Sequence, residues 1–215
     1  MTAKNSFGYL KKRILDVLDE YYTAENTVFV ADGNRDILEK RIPDAVYSSL
    51  VRMYESVSAE GNCKTVLEMY NGALPEGISL PDNCEVFSLP QDFERFIYIE
   101  AGGKKLGLSR IYFKDGFAFI NKNELSGEKK VFAEYKKLAP IIDENTADTF
   151  VFDLSQIAFE ALICLSASEI CREENANVYT RLLYKYNDLY EGMCAMALPD
   201  NGRNTFYKDS KRRRW

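Results

Sequence analysis

The side chain best suited to proton transfer near neutral pH is missing, because the chain has no histidine. That removes His-assisted general base catalysis, Ser-His and Cys-His triads, and His-ligated metal sites together. Five cysteines remain: Cys63, Cys84, Cys164, Cys171 and Cys194. They are odd in number, scattered and without a CxxC pair, which argues against a disulfide framework and for a reducing, cytosolic origin. Cys164 and Cys171 stand seven apart on one expected helix face and read as small buried apolar residues. The glycines of "AGGKKLGLS" lack the GxxxxGK[ST] spacing of a phosphate loop and suggest a hairpin turn instead. Acidic groups such as Asp16/Asp19/Glu20 and Asp143/Glu144 have ordinary helical or loop settings and no metal-binding signature. Two of the 33 carboxylates could serve glycoside hydrolysis, but nothing selects a pair. No catalytic residue, metal ligand or cofactor is assigned.

Basic groups come next. Lysine pairs at 104–105, 129–130 and 136–137 lie among β-type aromatic runs, as they would on a nucleic-acid-binding sheet. The net charge of −5 opposes a polyphosphate on most approaches, so these lysines read as solvated strand ends. The C-terminal "RNTFYKDSKRRRW" breaks this balance. Lys208 to Trp215 hold five of the 28 Lys and Arg, one acid and the only tryptophan. An arm of charge +4 therefore follows a body of −9.

These groups need a frame. With 46% apolar and 13% aromatic residues the chain can build a core, and 215 residues suit one domain or one domain with a large insertion. Ser6 to Tyr22 places Phe7, Leu10, Ile14, Val17, Leu18 and Tyr21 on one helical stripe behind a Ser6 N-cap. A second helix is expected from Pro43 to Ser58, with Pro43 in its first turn and Val46, Leu50, Met53 and Val57 buried. The intervening "TVFVADGNRDILEKRI" has room for a short strand, a turn at Asp32-Gly33 and a helical turn. From Cys63, short β-branched and aromatic runs predict four to six antiparallel strands, with Lys114-Asp115-Gly116 as the clearest hairpin turn.

Helical texture returns after Pro140. Asp153 and Gln156 read as a capping box for "SQIAFEALICLSASEICREE", which is apolar on most sides and so central in a bundle. From Asn175 to Ala197, Val178, Leu182, Tyr186, Leu189, Met193 and Met196 recur every three or four residues. The expected fold class is α+β: a bundle of two N-terminal and two C-terminal helices, with an inserted antiparallel β region. The bundle takes 1–62 and 140–198, the insertion 63–139, and a C-terminal arm 199–215. The first residues lack the apolar core of a signal peptide and no run reaches membrane-spanning length, so a soluble intracellular product with no membrane partner is expected.

In this order, several short pieces resemble the head-to-tail adaptor (head-completion or connector) proteins of tailed bacteriophages, especially the podovirus tail accessory or tubular type. Leu89-Pro90, Asp92-Phe93 and Arg95 resemble an "LPxDFxR" strand entry. Tyr135, Pro140, Thr146 and Asp148 resemble a "Y…P…TxD" link. Asp153-Leu154 resembles the "DL" before the penultimate helix, and Tyr184, Tyr186 and Asn187 a closing "YxYN" helix. The likeness spans most of residues 1–198.

The resemblance implies a structural virion protein that catalyses nothing and is assembled in the host cytoplasm. It implies a homo-oligomeric ring, of twelve subunits, between the portal protein and the tail tube or nozzle protein. DNA would pass its central channel without specific binding. By position in the chain, the resemblance makes the arm the portal-docking element, with Arg203, Phe206, Tyr207, Lys211, Arg212, Arg213, Arg214 and Trp215 as its contacts. Arginines pair with carboxylates and a tryptophan anchors in an apolar pocket. Two other readings fit the residues: a soluble α+β interaction module whose basic tail binds nucleic acid, and a carboxylate-based peptidoglycan hydrolase.

Overall fold

A computed structural model of the chain describes residues 4–24, 35–55 and 61–197. The fold is α+β, with helices at both ends and antiparallel sheets between them. The chain divides into two compact units, one of Met1–Glu60 with Ala139–Trp215 and the other of Gly61–Leu138.

In the helical unit, α1 spans Phe7–Ala24 and buries Phe7, Leu10, Ile14, Val17, Leu18 and Tyr22. The first N–H groups of a helix have no partner within it. Here the Ser6 hydroxyl accepts from the Tyr9 N–H at 3.3 Å, and the Phe7 and Gly8 N–H groups donate to the carbonyls of Phe150 (2.8 Å) and Asp148 (3.0 Å). The Phe152 N–H returns a bond to the Asn5 carbonyl at 3.0 Å, so the stretch before α1 is zipped to residues 148–154. Helix α2 runs Arg35–Glu55 and begins earlier than the sequence suggests. Pro43, read as a first-turn residue, lies inside it, buried, where its missing N–H is tolerated at a cost to the helix ladder.

Helix α4, Gln156–Cys171, is buried on nearly every side and packs against α1, α2 and α5 (Ala176–Ala197). It is the axis of the bundle, and Phe159 in it is wholly buried between Tyr9 and Phe152. Its N-cap is Ser155, whose side chain accepts from the Ala158 N–H at 3.3 Å, not the Asp153 of the expected capping box. At the other end Arg41 pairs with Glu174 and donates to the Ile170 carbonyl at 2.9 Å, covering an otherwise open helix terminus. Asn175 caps α5 by accepting from the N–H groups of Asn177 and Val178.

The β unit holds seven strands among the described residues, more than expected, in two sheets. The strands are β1 (Asn62–Glu68), β2 (Cys84–Ser88), β3 (Phe93–Ala101), β4 (Lys104–Lys105), β5 (Tyr112–Lys114), β6 (Phe117–Asn121) and β7 (Lys130–Lys137). A single turn of helix, α3 (Lys122–Leu125), separates the last two. One sheet has the order β1-β7-β3-β4 and the other β2-β6-β5. Both glycine hairpins form as read. Asp115 and Gly116 (φ 49° and 81°) join β5 to β6, and Gly102 and Gly103 (φ 54° and 79°) join β3 to β4. Two consecutive left-handed residues make the type I′ turn that matches strand twist. The facing sides of the two sheets meet in one core containing Leu67, Phe87, Phe96, Ile99, Ala118, Ile120, Val131, Ala133 and Tyr135.

Candidate functional site

The arm assigned to docking, Arg203, Phe206, Tyr207 and Lys211 to Trp215, lies outside the described residues, as do Val57, Ser58 and the Asp32-Gly33 turn. The pieces that resemble the adaptor pattern lie within them, and several have structural tasks. Pro90 follows β2, an edge strand, and its carbonyl accepts from the Phe93 N–H at 3.1 Å. Phe93 joins Phe96, Phe113 and Tyr135 in an aromatic cluster with centroids 4.7 to 5.7 Å apart. The Tyr135 hydroxyl donates to Asp92 Oδ1 at 2.9 Å, and the Leu138 N–H to the Asp92 carbonyl at 2.7 Å. Burial, with bonds to Cys63 and Asp92, pushes the Tyr135 phenol far above its ordinary value.

In the helical unit, Thr146 closes a turn on Asp143, donating to its Oδ1 at 3.1 Å while accepting from its N–H. Asp148 pairs with Lys11 and packs on Gly8. Tyr184 and Tyr186 point to opposite sides of α5, the first exposed and the second buried beside Tyr190. Cys164 and Cys171 are buried, and burial raises their thiols to about 11 and about 12.

The outer face of the four-stranded sheet is the most organised surface among the described residues. On β1 it presents Lys64, Val66 and Glu68, and on β7 Lys130, Phe132 and Glu134. The register sets Lys64 opposite Glu134, Val66 opposite Phe132 and Glu68 opposite Lys130. Opposite residues of an antiparallel pair share a face, so an apolar row stands between two rows that each set a lysine beside a glutamate. Val66 is 55% exposed and Phe132 39%. Lys130 Nζ donates to Glu68 at 2.5 Å, and that bond and charge hold the Glu68 carboxyl below its usual value. Next to Phe132, Tyr98 bonds Glu100 and carries Lys105 over its ring at 5.2 Å.

The sequence reading missed this face, although its mark is plain in the pentads "KTVLE" and "KVFAE". Each puts lysine, an apolar residue and glutamate at alternate positions, hence on one side of a strand. Of the lysines read as solvated strand ends, Lys136 departs from that reading. It is 5% exposed, and burial with the nearby Arg95 lowers its pKa.

Two grooves also lie among the described residues. One of about 670 Å³ in the helical unit is lined by Phe7, Lys12, Leu15, Lys40 and Pro43, with Glu39 and Glu144 at its sides. Another of about 440 Å³ follows the free edge of β1 to Leu89 and Pro90. No cluster of three or more His, Cys, Asp or Glu placed to hold a metal ion occurs among the described residues. No helix among them is long and apolar enough to cross a membrane. No protein-family model matches the chain, and no curated protein matches it.

Proposed function

We propose that the chain is a structural virion protein of tailed phages that forms a ring adaptor between portal and tail, with a central channel for DNA. The observation that carries this reading is the ordered set of adaptor-like pieces, two of which serve one joint. Asp92, of the "LPxDFxR" entry, accepts from Tyr135, of the "Y…P…TxD" link, across 43 positions. Thr146 and Asp148 of the same link order the loop that holds the start of α1. These are positioning tasks of the kind an assembly protein needs.

Charge distribution adds support. Residues 139–197 hold ten Asp and Glu against three Lys and Arg, whereas 61–138 hold eleven of each. A wall of the first kind lets DNA pass, because it offers few cations to replace the condensed counterions. The +4 arm that follows α5 is the portal-docking element in this reading, its arginines seeking carboxylates and Trp215 an apolar pocket.

The test is the mass of the purified protein alone and mixed with the portal of its own gene cluster, by mass photometry. Addition of many copies to the portal, lost on deletion of Arg203 to Trp215, is the expected result. Failure to bind the portal overturns the reading. A strongly salt-dependent affinity for nucleic acid through the arm would instead favour an interaction module.

A further inference from the structure

The paired pentads on β1 and β7 have a property that neither strand has alone. Read along β1, the outward residues are Lys64, Val66 and Glu68; along β7, which runs the other way, they are Lys130, Phe132 and Glu134. The β1-β7 half of the face therefore carries a row of Glu68 and Lys130, then Val66 and Phe132, then Lys64 and Glu134, while β3 adds Glu100 beside Phe132 and Tyr98 beside Glu134. The two charged rows are the reverse of each other about the apolar one.

A two-fold axis lying between two such faces superposes the apolar rows and turns every lysine onto a glutamate. It holds with β1 over β7 of the other copy, which leaves Glu100 of β3 outside the contact; with β1 over β1, Glu100 would meet its own counterpart. Self-complementarity of this kind is what an isologous contact requires, each residue meeting its counterpart's partner. The opposite signs across the contact also disfavour a nucleic acid, which would meet the two glutamates as well as the lysines.

We infer that the β1-β7 half of the outer face of the four-stranded sheet is a self-association surface, through which the free protein pairs face to face with a second copy. Val66 and Phe132 form its apolar centre, and Lys64, Glu68, Lys130 and Glu134 its charged rim. The apolar-centre, polar-rim arrangement is that of protein interfaces generally. From strand spacing and rise the patch measures roughly 15 by 15 Å. Face to face it buries roughly 450 Å² over the two copies, below the roughly 1,200 Å² of a standard specific contact, so the pairing is weak and the expected dissociation constant is on the order of 100 µM. The inference does not rest on the adaptor reading, since a ring closes through head-to-tail contacts and not two-fold ones.

Two charge variants test it. Lys64→Glu with Lys130→Glu makes the rim wholly acidic, and Glu68→Lys with Glu134→Lys makes it wholly basic. In sedimentation velocity over roughly 1–300 µM, the unaltered chain is expected to shift from one copy of 24.7 kDa towards two. Each variant alone should remain a single copy, and an equimolar mixture of the two should pair again. Circular dichroism of each variant checks that the sheet is intact. A further substitution, Phe132→Lys, should abolish pairing in the otherwise unaltered chain. The inference is overturned if the unaltered chain stays single across that range. It is equally overturned if any pair or larger assembly is indifferent to the charge variants.

Discussion

Tyr135 and Asp92 are joined by a 2.9 Å hydrogen bond from phenol to carboxylate, with the phenol buried in the β unit and the aspartate at its surface. The two ends of the bond have unequal stakes. Removing the phenol oxygen by Tyr135→Phe leaves an aspartate that water can reach, and should cost about 1 kcal/mol. Asp92→Ala leaves a buried hydroxyl with only the thiol of Cys63 as partner and should cost more, about 1–3 kcal/mol. The double variant should resemble Tyr135→Phe, because the stranded group is then gone. Urea denaturation of the four proteins measures this, and equal, additive losses would contradict it.

The buried thiols and one buried phenol set an alkaline limit. Cys164 and Cys171 rise from 9.0 to about 11 and about 12, and Tyr22 from 10.0 to about 12, chiefly through burial. A group whose folded pKa is raised contributes stability that is whole below its unfolded pKa and is lost as pH climbs through the folded one. The urea midpoint should therefore hold steady to about pH 8 and fall between about pH 9 and 12. Replacing both cysteines by alanine should flatten the start of that fall. In native protein at neutral pH, iodoacetamide should label Cys164 and Cys171 far more slowly than in urea.

Two helical glycines offer a matched comparison. A methyl group added at either Gly8 or Gly192 would come within 3.0 Å of a neighbour. At Gly8 that neighbour is Asp148 Cβ, in a residue tied down by the Gly8 N–H and by Lys11. At Gly192 it is the tip of Ile157, which can rotate away. Alanine in place of glycine gains up to about 1 kcal/mol in a helix, while overpacking a fixed site costs about 1–3 kcal/mol. Gly8→Ala should thus destabilise by about 1 kcal/mol and Gly192→Ala stabilise by about 0.5 kcal/mol. Thermal melts with opposite shifts would bear this out; shifts of one sign would not.

The cap of α4 gives a simpler expectation. Ser155→Ala removes the acceptor for the Ala158 N–H and should cost about 1 kcal/mol, with Ser155→Asp recovering most of it. Denaturation midpoints of the three proteins decide the matter.

Local chemistry was legible where it acts locally. The stripe of α1, the Ser6 cap and the left-handed pair Asp115-Gly116 each depend on neighbours within a few residues. The start of α2 was not, because Pro43 reads as a beginning while tertiary packing of Leu38 and Ile42 extends the helix through it. Asp153 matched a capping pattern, yet Phe152 and Leu154 are drawn into the core and the helix opens two residues later, at Ser155. The charge-reversed face depends on a register between strands more than sixty positions apart. Each pentad could be read from the sequence, but their opposition could not. Nor could the Asp92–Tyr135 bond, which needs both the β3–β7 pairing and the bend at Pro90.

The β unit enters the chain on β1 and leaves it on β7, and those strands are hydrogen-bonded neighbours with Asn62 opposite Lys136. Its entrance and exit are therefore about 5 Å apart. To the remainder of the polypeptide such an insertion is little more than a loop closed at its base. The segment Gly61–Leu138 has the geometry of an exchangeable cassette: it could be excised behind a short glycine linker, or grafted onto another host at any tight turn. Lineages carrying this architecture could thus alter what the β unit meets without redesigning the helices that hold it.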